Sequence, residues 1–326
     1  VVAVLTKRIL VTGGTGFIGS NLIPKLVLEG HEVYALVRNI SNRTPTFPEK
    51  TKIIVGDLRD GLDLRKPIMD ADPNIIVHLA ASTSVAYSHL HPQEIFDINT
   101  GGTVDLATIA SDLPSLEAFL MAGTSEEYGN QKIIPISEDA PLNANQPYAV
   151  SKVQADLYLH YLWSSNGFPA IVVRPFNTYG RLENFNFVTE SIIVQMLTKK
   201  TVYLGNPSPV RDFLYVDDHI EGYLKLIRAP EIVHTIGPNR AINLCTGRGT
   251  SIKTLAETIA RIMDFDESNI IWKYSNLVRP TEIEKLVGDN SKAKKLLGWS
   301  PRTDLESGLS LLIKKLSKKF WSGLRA

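Results

Sequence analysis

Short apolar runs alternate with apolar residues at helical spacing along most of the chain. Ile9-Leu10-Val11 reads as a buried strand, and Leu22, Ile23, Leu26 and Val27 then fall on one helix face. Glu32-Val33-Tyr34-Ala35-Leu36-Val37, Ile53-Ile54-Val55 and Ile75-Ile76-Val77-His78-Leu79-Ala80-Ala81 read as the next three strands. Residues 92–110 follow as a helix opened by His91-Pro92, with Ile95, Ile98, Val104, Leu106 and Ile109 apolar. A fifth strand is predicted over 116–122 and a sixth over Ala170-Ile171-Val172-Val173-Arg174-Pro175. Further helices are predicted over 147–165, 188–197, 251–263 and 305–316, with a strand at Ile242-Asn243-Leu244. Thr250 or Ser251 is placed to cap the helix over 251–263. This order predicts an α/β fold, a Rossmann-type doubly wound parallel sheet. Pro24 lies inside the first helix, where a missing backbone bond predicts a kink, and residues from Lys318 onward are expected to fray.

Thr12-Gly13-Gly14-Thr15-Gly16-Phe17-Ile18-Gly19 joins the first strand to the first helix. Strand, glycine turn and helix in that order make a dinucleotide site. The turn is tight, a pyrophosphate must approach bare backbone, and helix and strand pack closely. The helix's unpaired N–H groups and its dipole then meet the phosphates. Gly13, Thr15, Gly16, Phe17, Ile18 and Gly19 are the expected contacts. The second strand ends at Arg38, where an acidic residue would grip the ribose 2′-hydroxyl of NAD about 20 residues past the glycines. Arg38, with Asn39 and Arg43 nearby, suits a 2′-phosphate, so the sequence favours NADP, with NAD the alternative. An ordinary solvated arginine is the competing reading. Asp57, next to Leu58, is placed to accept from the adenine amino group or to cap the next helix. Leu79, Ala80 and Ala81 end the fourth strand with small residues over which a cofactor can lie, while His78 reads as a core histidine.

With 326 residues, 44% of them hydrophobic, the chain can build a large core and two lobes. A formal net charge of +1 draws it to neither nucleic acid nor membrane. The single cysteine, Cys245, excludes an intramolecular disulfide and fits a reducing cytosol. No apolar run is long enough to span a bilayer, and no signal-peptide pattern opens the chain, so a soluble cytoplasmic protein is expected. No metal site is expected.

The fifth strand runs into Gly123-Thr124-Ser125-Glu126-Glu127-Tyr128-Gly129. In a parallel sheet, ligands sit beyond the carboxyl ends of the strands, so this loop faces the cofactor crevice. Gln146-Pro147-Tyr148-Ala149-Val150-Ser151-Lys152 then opens a helix, with Tyr148 and Lys152 four apart on one face. A tyrosine titrates near pH 10, and a nearby ammonium favours the phenolate and makes it a usable base. The same ammonium can hold the nicotinamide ribose. By itself, Tyr-x-x-x-Lys is a common amphipathic pair; behind the glycine turn and the Thr-Ser-Glu loop it becomes specific.

Together, residues 12–19, Tyr148-Ala149-Val150-Ser151-Lys152 and the downstream segments resemble the extended short-chain dehydrogenase/reductase family, which acts on nucleotide-sugars. The resemblance covers nearly the whole chain, from Arg8 to Pro301. Within the family, Thr124-Ser125-Glu126-x-Tyr128-Gly129 and Val37-Arg38 resemble the GDP-mannose 4,6-dehydratases. It implies an NADP-binding domain over 1–175, to which 210–245 return, and a smaller α/β nucleotide-sugar lobe over 176–209 and 246–326. Phe176-Asn177-Thr178-Tyr179-Gly180 resembles the substrate-side turn, with Asn177 on the sugar diphosphate. In Val210-Arg211-Asp212-Phe213, the resemblance puts Arg211 on the diphosphate; on local grounds Arg211-Asp212 reads as an ion pair. Arg279-Pro280-Thr281-Glu282 implies an arginine on the diphosphate and a glutamate at the nucleoside, and Ser125 is a further substrate contact.

The implied chemistry gives each group a task. Tyr148 takes the proton of the sugar 4-hydroxyl as hydride leaves C4 for NADP⁺, and Thr124 aligns that oxygen. The 4-ketone acidifies C5, Glu126 removes the C5 proton, water leaves from C6, and hydride returns to C6. A UDP-glucose-type 4-epimerase needs no base beyond Tyr148 and usually carries a small residue in place of Glu126. Glucuronate decarboxylases and 4-keto-6-deoxy-sugar reductases can also carry Thr-Ser-Glu, whereas dTDP-glucose dehydratases have Asp-Glu where this chain has Ser125-Glu126. A catalytically silent NADP-binding regulator is the reading from another class, opposed by intact Thr124, Tyr148 and Lys152. A homodimer or homotetramer is expected through helices around 95–109 and 148–163, with the loop over 40–50 reaching a neighbour's cofactor in a tetramer.

Overall fold

The computed structural model describes residues 6–40, 46–273 and 282–322. In chain order the strands are β1 (Arg8–Thr12), β2 (Glu32–Val37), β3 (Lys52–Val55), β4 (Ile75–His78), β5 (Ala118–Ala122), β6 (Ala170–Pro175), β7 (Asn177–Tyr179), β8 (Val202–Leu204), β9 (Val210–Tyr215), β10 (Ala241–Leu244), β11 (Gly249–Ser251), β12 (Ile270–Trp272) and β13 (Lys285–Leu286). Seven of them form one parallel sheet in the order β10-β6-β5-β4-β1-β2-β3. The order reverses at β1, and the glycine turn leaves the carboxyl end of that strand, the usual place for a ligand crevice.

Successive side chains of a strand point to opposite faces, and here both faces are covered. Ile9 and Val11 join one core cluster with Leu22, Ile23 and Leu26 of the helix Phe17–Leu28, while Leu10 between them joins the other with Leu36, Ile76 and Phe119. That is why these strands read as unbroken apolar runs. β3 lies at the sheet edge and leaves Ile53 and Val55 exposed.

Several elements depart from the expected ones. The helix Phe17–Leu28 continues through Pro24, which lies on its exposed face, where water can satisfy the carbonyl that loses its amide partner. The segment 92–110 is divided: Pro92–Phe96 and Gly102–Ser111 are α-helical, and Asp97–Gly101 between them is a wider π turn. Ile95, Leu106 and Ile109 are buried within this chain, and Ile98 and Val104 are half-buried. Residues 210–215, expected with the return to the first lobe, form β9 of a smaller sheet with β7, β11 and β13. The return is made by the helix Val216–Arg228, whose Arg228 pairs with Glu29, and by β10. Ser251 caps the helix Ile252–Met263 by accepting the Thr254 amide at 3.0 Å. The last helix, Leu305–Ser322, runs past Lys318, and Lys319 donates to the Leu182 carbonyl at 2.8 Å. Among the described residues, no helix is long and apolar enough to cross a membrane.

Candidate active site

Two glycines make the turn after β1 irreplaceable in shape. Gly13 has φ +68°, and a Cβ there would lie 2.7 Å from the Ala80 amide nitrogen. A Cβ on Gly19 would lie 2.4 Å from the Gly13 carbonyl oxygen. The helix that follows starts at Phe17 with no side-chain cap and no acidic residue in its first turn, the condition that suits an anion there. Thr15 and Gly16 are exposed, and Phe17, Ile18, Leu79, Ala80 and Ala81 are half-buried around the same edge. This cradle of backbone fits a pyrophosphate.

Arg38 is exposed just past β2. Asp57 is half-buried past β3, next to buried Leu58, and its carboxylate is forked by Arg59 at 2.7 and 3.1 Å. Arg59 holds it below the usual carboxylate range, and the Arg38 charge adds to that effect. Asp57 does not cap the next helix, Gly61–Ala71, which starts after Asp60. Arg43 lies outside the described residues.

β5 delivers Thr124 at its carboxyl end, and a single tight turn, Ser125–Tyr128, follows. Thr124 and Glu127 cap that turn reciprocally. Thr124 Oγ1 accepts from the Glu126 amide at 3.3 Å, and Glu127 Oε1 accepts from the Thr124 amide at 2.8 Å. The Thr124 hydroxyl, accepting on that side, favours the ionised form of the Tyr148 phenol. Ser125 is buried. Glu126 is half-buried, with Oε2 accepting from Gln146 Nε2 at 2.9 Å.

Tyr148 stands in the first turn of the helix Pro147–Asn166, where a proline at the start loses no intrahelical bond. Lys152 follows one turn later, and both are buried on the side that also carries Ser151, Ala155 and Asp156. The π turn ties this helix to the glycine turn. Its Asn99 donates to Ser151 Oγ at 3.0 Å and accepts from the Ser82 amide at 2.8 Å, two residues beyond the alanine that abuts Gly13. His78 bridges Thr12 and Thr103 at 2.8 and 2.9 Å, a satisfied core histidine as expected, and burial pushes it down to about 3.

Charges in this pocket are set first by burial. It lifts the Tyr148 phenol above its ordinary value; the Thr124 bond opposes the rise, and Glu127 and Glu126 add to it. The expected lowering by Lys152 is not among these influences. The ammonium faces Glu127 and Asp156 instead, and burial brings it down to about 8 in spite of both. Burial raises the Glu126 carboxyl, against Arg211 and the Gln146 bond.

Arg211 is brought to Glu126 and Glu282, whose charges support its own against burial. The competing local reading, an Arg211–Asp212 ion pair, does not hold among the described residues, because neighbours on β9 face opposite sides. Asp212 accepts instead from the Thr246 and Gly247 amides, both at 2.8 Å, and from the Thr246 hydroxyl. Asn177 opens β7 with its side-chain oxygen buried and without a hydrogen-bond partner among the described residues. Glu282 accepts from Asn206 at 2.9 Å, while Arg279 lies outside the described residues. Gln146, Asn99 and the buried Glu127–Arg174–Asp156 chain were not singled out by sequence. Among the described residues no cluster of metal-ligating side chains converges.

A glycine-turn Rossmann sheet with a buried tyrosine and lysine one helical turn apart beside it defines an extended short-chain dehydrogenase/reductase. The chain belongs to the GDP-mannose 4,6-dehydratase family, whose model matches residues 10–312. It is 28% identical to UDP-glucose 4-epimerase of Mycolicibacterium smegmatis over 96% of this chain and 99% of that protein. It is 29% identical to a GDP-mannose 4,6-dehydratase of Sordaria araneosa over 92% of this chain and 59% of that one. The crystal structure of Thermotoga maritima UDP-glucose 4-epimerase with UDP-glucose superposes with a TM-score of 0.87 at 28% identity, covering 96% of this chain and 99% of that one. These relatives make the protein an enzyme of the nucleotide-sugar epimerase and dehydratase group.

Proposed function

We propose that this enzyme is an NADP-dependent nucleotide-sugar 4,6-dehydratase of the GDP-mannose type, a lyase. The observation that carries the reading is a second acid–base group beside Tyr148: Glu126, steadied by Gln146 and raised by burial. Bound nicotinamide supplies a hydride acceptor that gives the hydride back within one cycle. Tyr148 takes the proton of the sugar 4-hydroxyl, and Thr124 holds that oxygen in line. Once C4 is a ketone, the C5 proton is acidic and Glu126 removes it as water departs from C6. Arg211, Asn177 and Arg279 hold the diphosphate, Glu282 the nucleoside, and Ser125 shapes the sugar pocket. Residues 12–19, Asp57, Leu58 and 79–81 hold the dinucleotide, with Lys152 at its nicotinamide ribose. We assign 1–175 with 216–245 to the cofactor domain and the remainder to the substrate lobe. Leu157 and Tyr161, exposed on the helix Pro147–Asn166, give the dimer its face.

A 4-epimerase is the second reading, favoured by the relatives from Mycolicibacterium smegmatis and Thermotoga maritima. Incubation with GDP-, UDP-, CDP- and dTDP-sugars separates the two. A 4-keto-6-deoxy product from GDP-mannose without added reductant is expected. A 4-epimer, released carbon dioxide or net NADPH consumption assigns a sibling reaction, and tight NADP binding without turnover assigns a regulator.

Arg38→Asp tests the cofactor. A charge-assisted contact to a 2′-phosphate predicts a loss of NADP affinity of about 10–100-fold with NAD affinity retained. Calorimetric titration of both dinucleotides reads this directly; unchanged NADP binding returns Arg38 to the solvated surface.

A further inference from the structure

Beneath the catalytic loop lies a closed set of four charges. Glu127 is fully buried, with Oε1 on the Thr124 amide at 2.8 Å and Oε2 on Arg174 Nε at 2.7 Å. Arg174, also buried, pairs through its other arm with Asp156 and donates to the Tyr128 hydroxyl at 3.0 Å, which in turn donates to Asn243 at 2.7 Å. Asp156 sits one helical turn beyond Lys152. Groups facing Lys152 are Glu127 from the loop after β5, Asp156 from its own helix, and His78 from β4. Neither acid forms a direct ion pair with Lys152 among the described residues.

With both carboxyl groups ionised the set is balanced: two carboxylates, one guanidinium and one ammonium, all buried, with burial lifting the Glu127 carboxyl to about 7. A guanidinium cannot shed its proton. If one carboxylate is neutralised, only Lys152 can relieve the surplus positive charge. We propose that Glu127 is a positioning residue for this reaction: it pins Thr124 through the backbone amide and keeps Lys152 protonated. The role of Lys152 in turnover rests on the function proposed above; its charge state does not.

Glu127→Gln keeps an acceptor for the Thr124 amide and removes the charge. In protein labelled with carbon-13 lysine, the Lys152 signal, assigned by its absence in Lys152→Arg, moves its titration down by about one pH unit or more. The alkaline limb of sugar-dependent nicotinamide reduction moves with it, and the nucleotide-sugar KM stays within about threefold. A Lys152 titration unchanged in Glu127→Gln overturns the proposal. Should that variant not fold, Asp156→Asn, which leaves the Thr124 amide bond untouched, shifts Lys152 the same way; no shift there overturns it equally. A shifted NMR titration without any sugar-dependent reduction in the native enzyme sustains the charge balance and refutes the dehydratase reading instead.

Discussion

Tyr148→Phe lowers the first-order rate of nicotinamide reduction by about 10²–10⁴-fold, the range of a lost general base. The ring is buried, so phenylalanine keeps its packing and removes only the oxygen. The Thr124 hydroxyl, which the Glu126 amide already engages on its accepting side, favours the ionised form of that oxygen. Nucleotide-sugar affinity, which we propose is set by Arg211 and Asn177, is expected to be unaffected. Burial holds the phenol above its ordinary value, and the function proposed above puts the Lys152 ammonium at the nicotinamide ribose, where it serves turnover only while charged. Lys152 titrates at about 8, and its charge is lost as pH rises through that value. The native rate therefore falls from about pH 8 upward. Stopped-flow absorbance checks both points; a Phe variant within a few-fold of native places the proton acceptor elsewhere.

How much of this was legible in the sequence depends on the reach of each contact. The glycine turn and the Tyr148–Lys152 spacing are local, and both were read from residues within two helical turns. The sheet followed from apolar runs, since burial on both faces removes alternation from the strands. The π turn at Asp97–Gly101 was invisible because Ile95 and Leu106 stay buried on either side of it. Residues 210–215 were expected with the return to the first lobe, and their apolar pattern reports burial and not that β9 pairs with β7. Glu127 and Arg174 are 47 residues apart, and nothing local marks a buried pair. The competing local reading of Arg211 and Asp212 as an ion pair fails because strand neighbours do not share a face.

Glu126→Gln separates elimination from oxidation. The amide is nearly isosteric and still accepts from Gln146, so the loop keeps its shape. Glutamine cannot take the C5 proton. The expected result is a nicotinamide that is reduced on adding sugar and remains reduced, with 4-keto-6-deoxy product falling by about 10²–10⁴-fold. Burial raises the native Glu126 carboxyl, and its basic form is the one that works. The acid limb of native product formation consequently lies above the ordinary carboxylate range, with rate lost as pH falls through it, and this limb is absent from the reduction step. An epimerase makes the opposite forecast. Its ketone only turns over and is reduced on the other face, so the Gln variant forms product at the native rate and holds no reduced cofactor. The two outcomes differ in the same cuvette, and the second removes Glu126 from the mechanism and the lyase assignment with it.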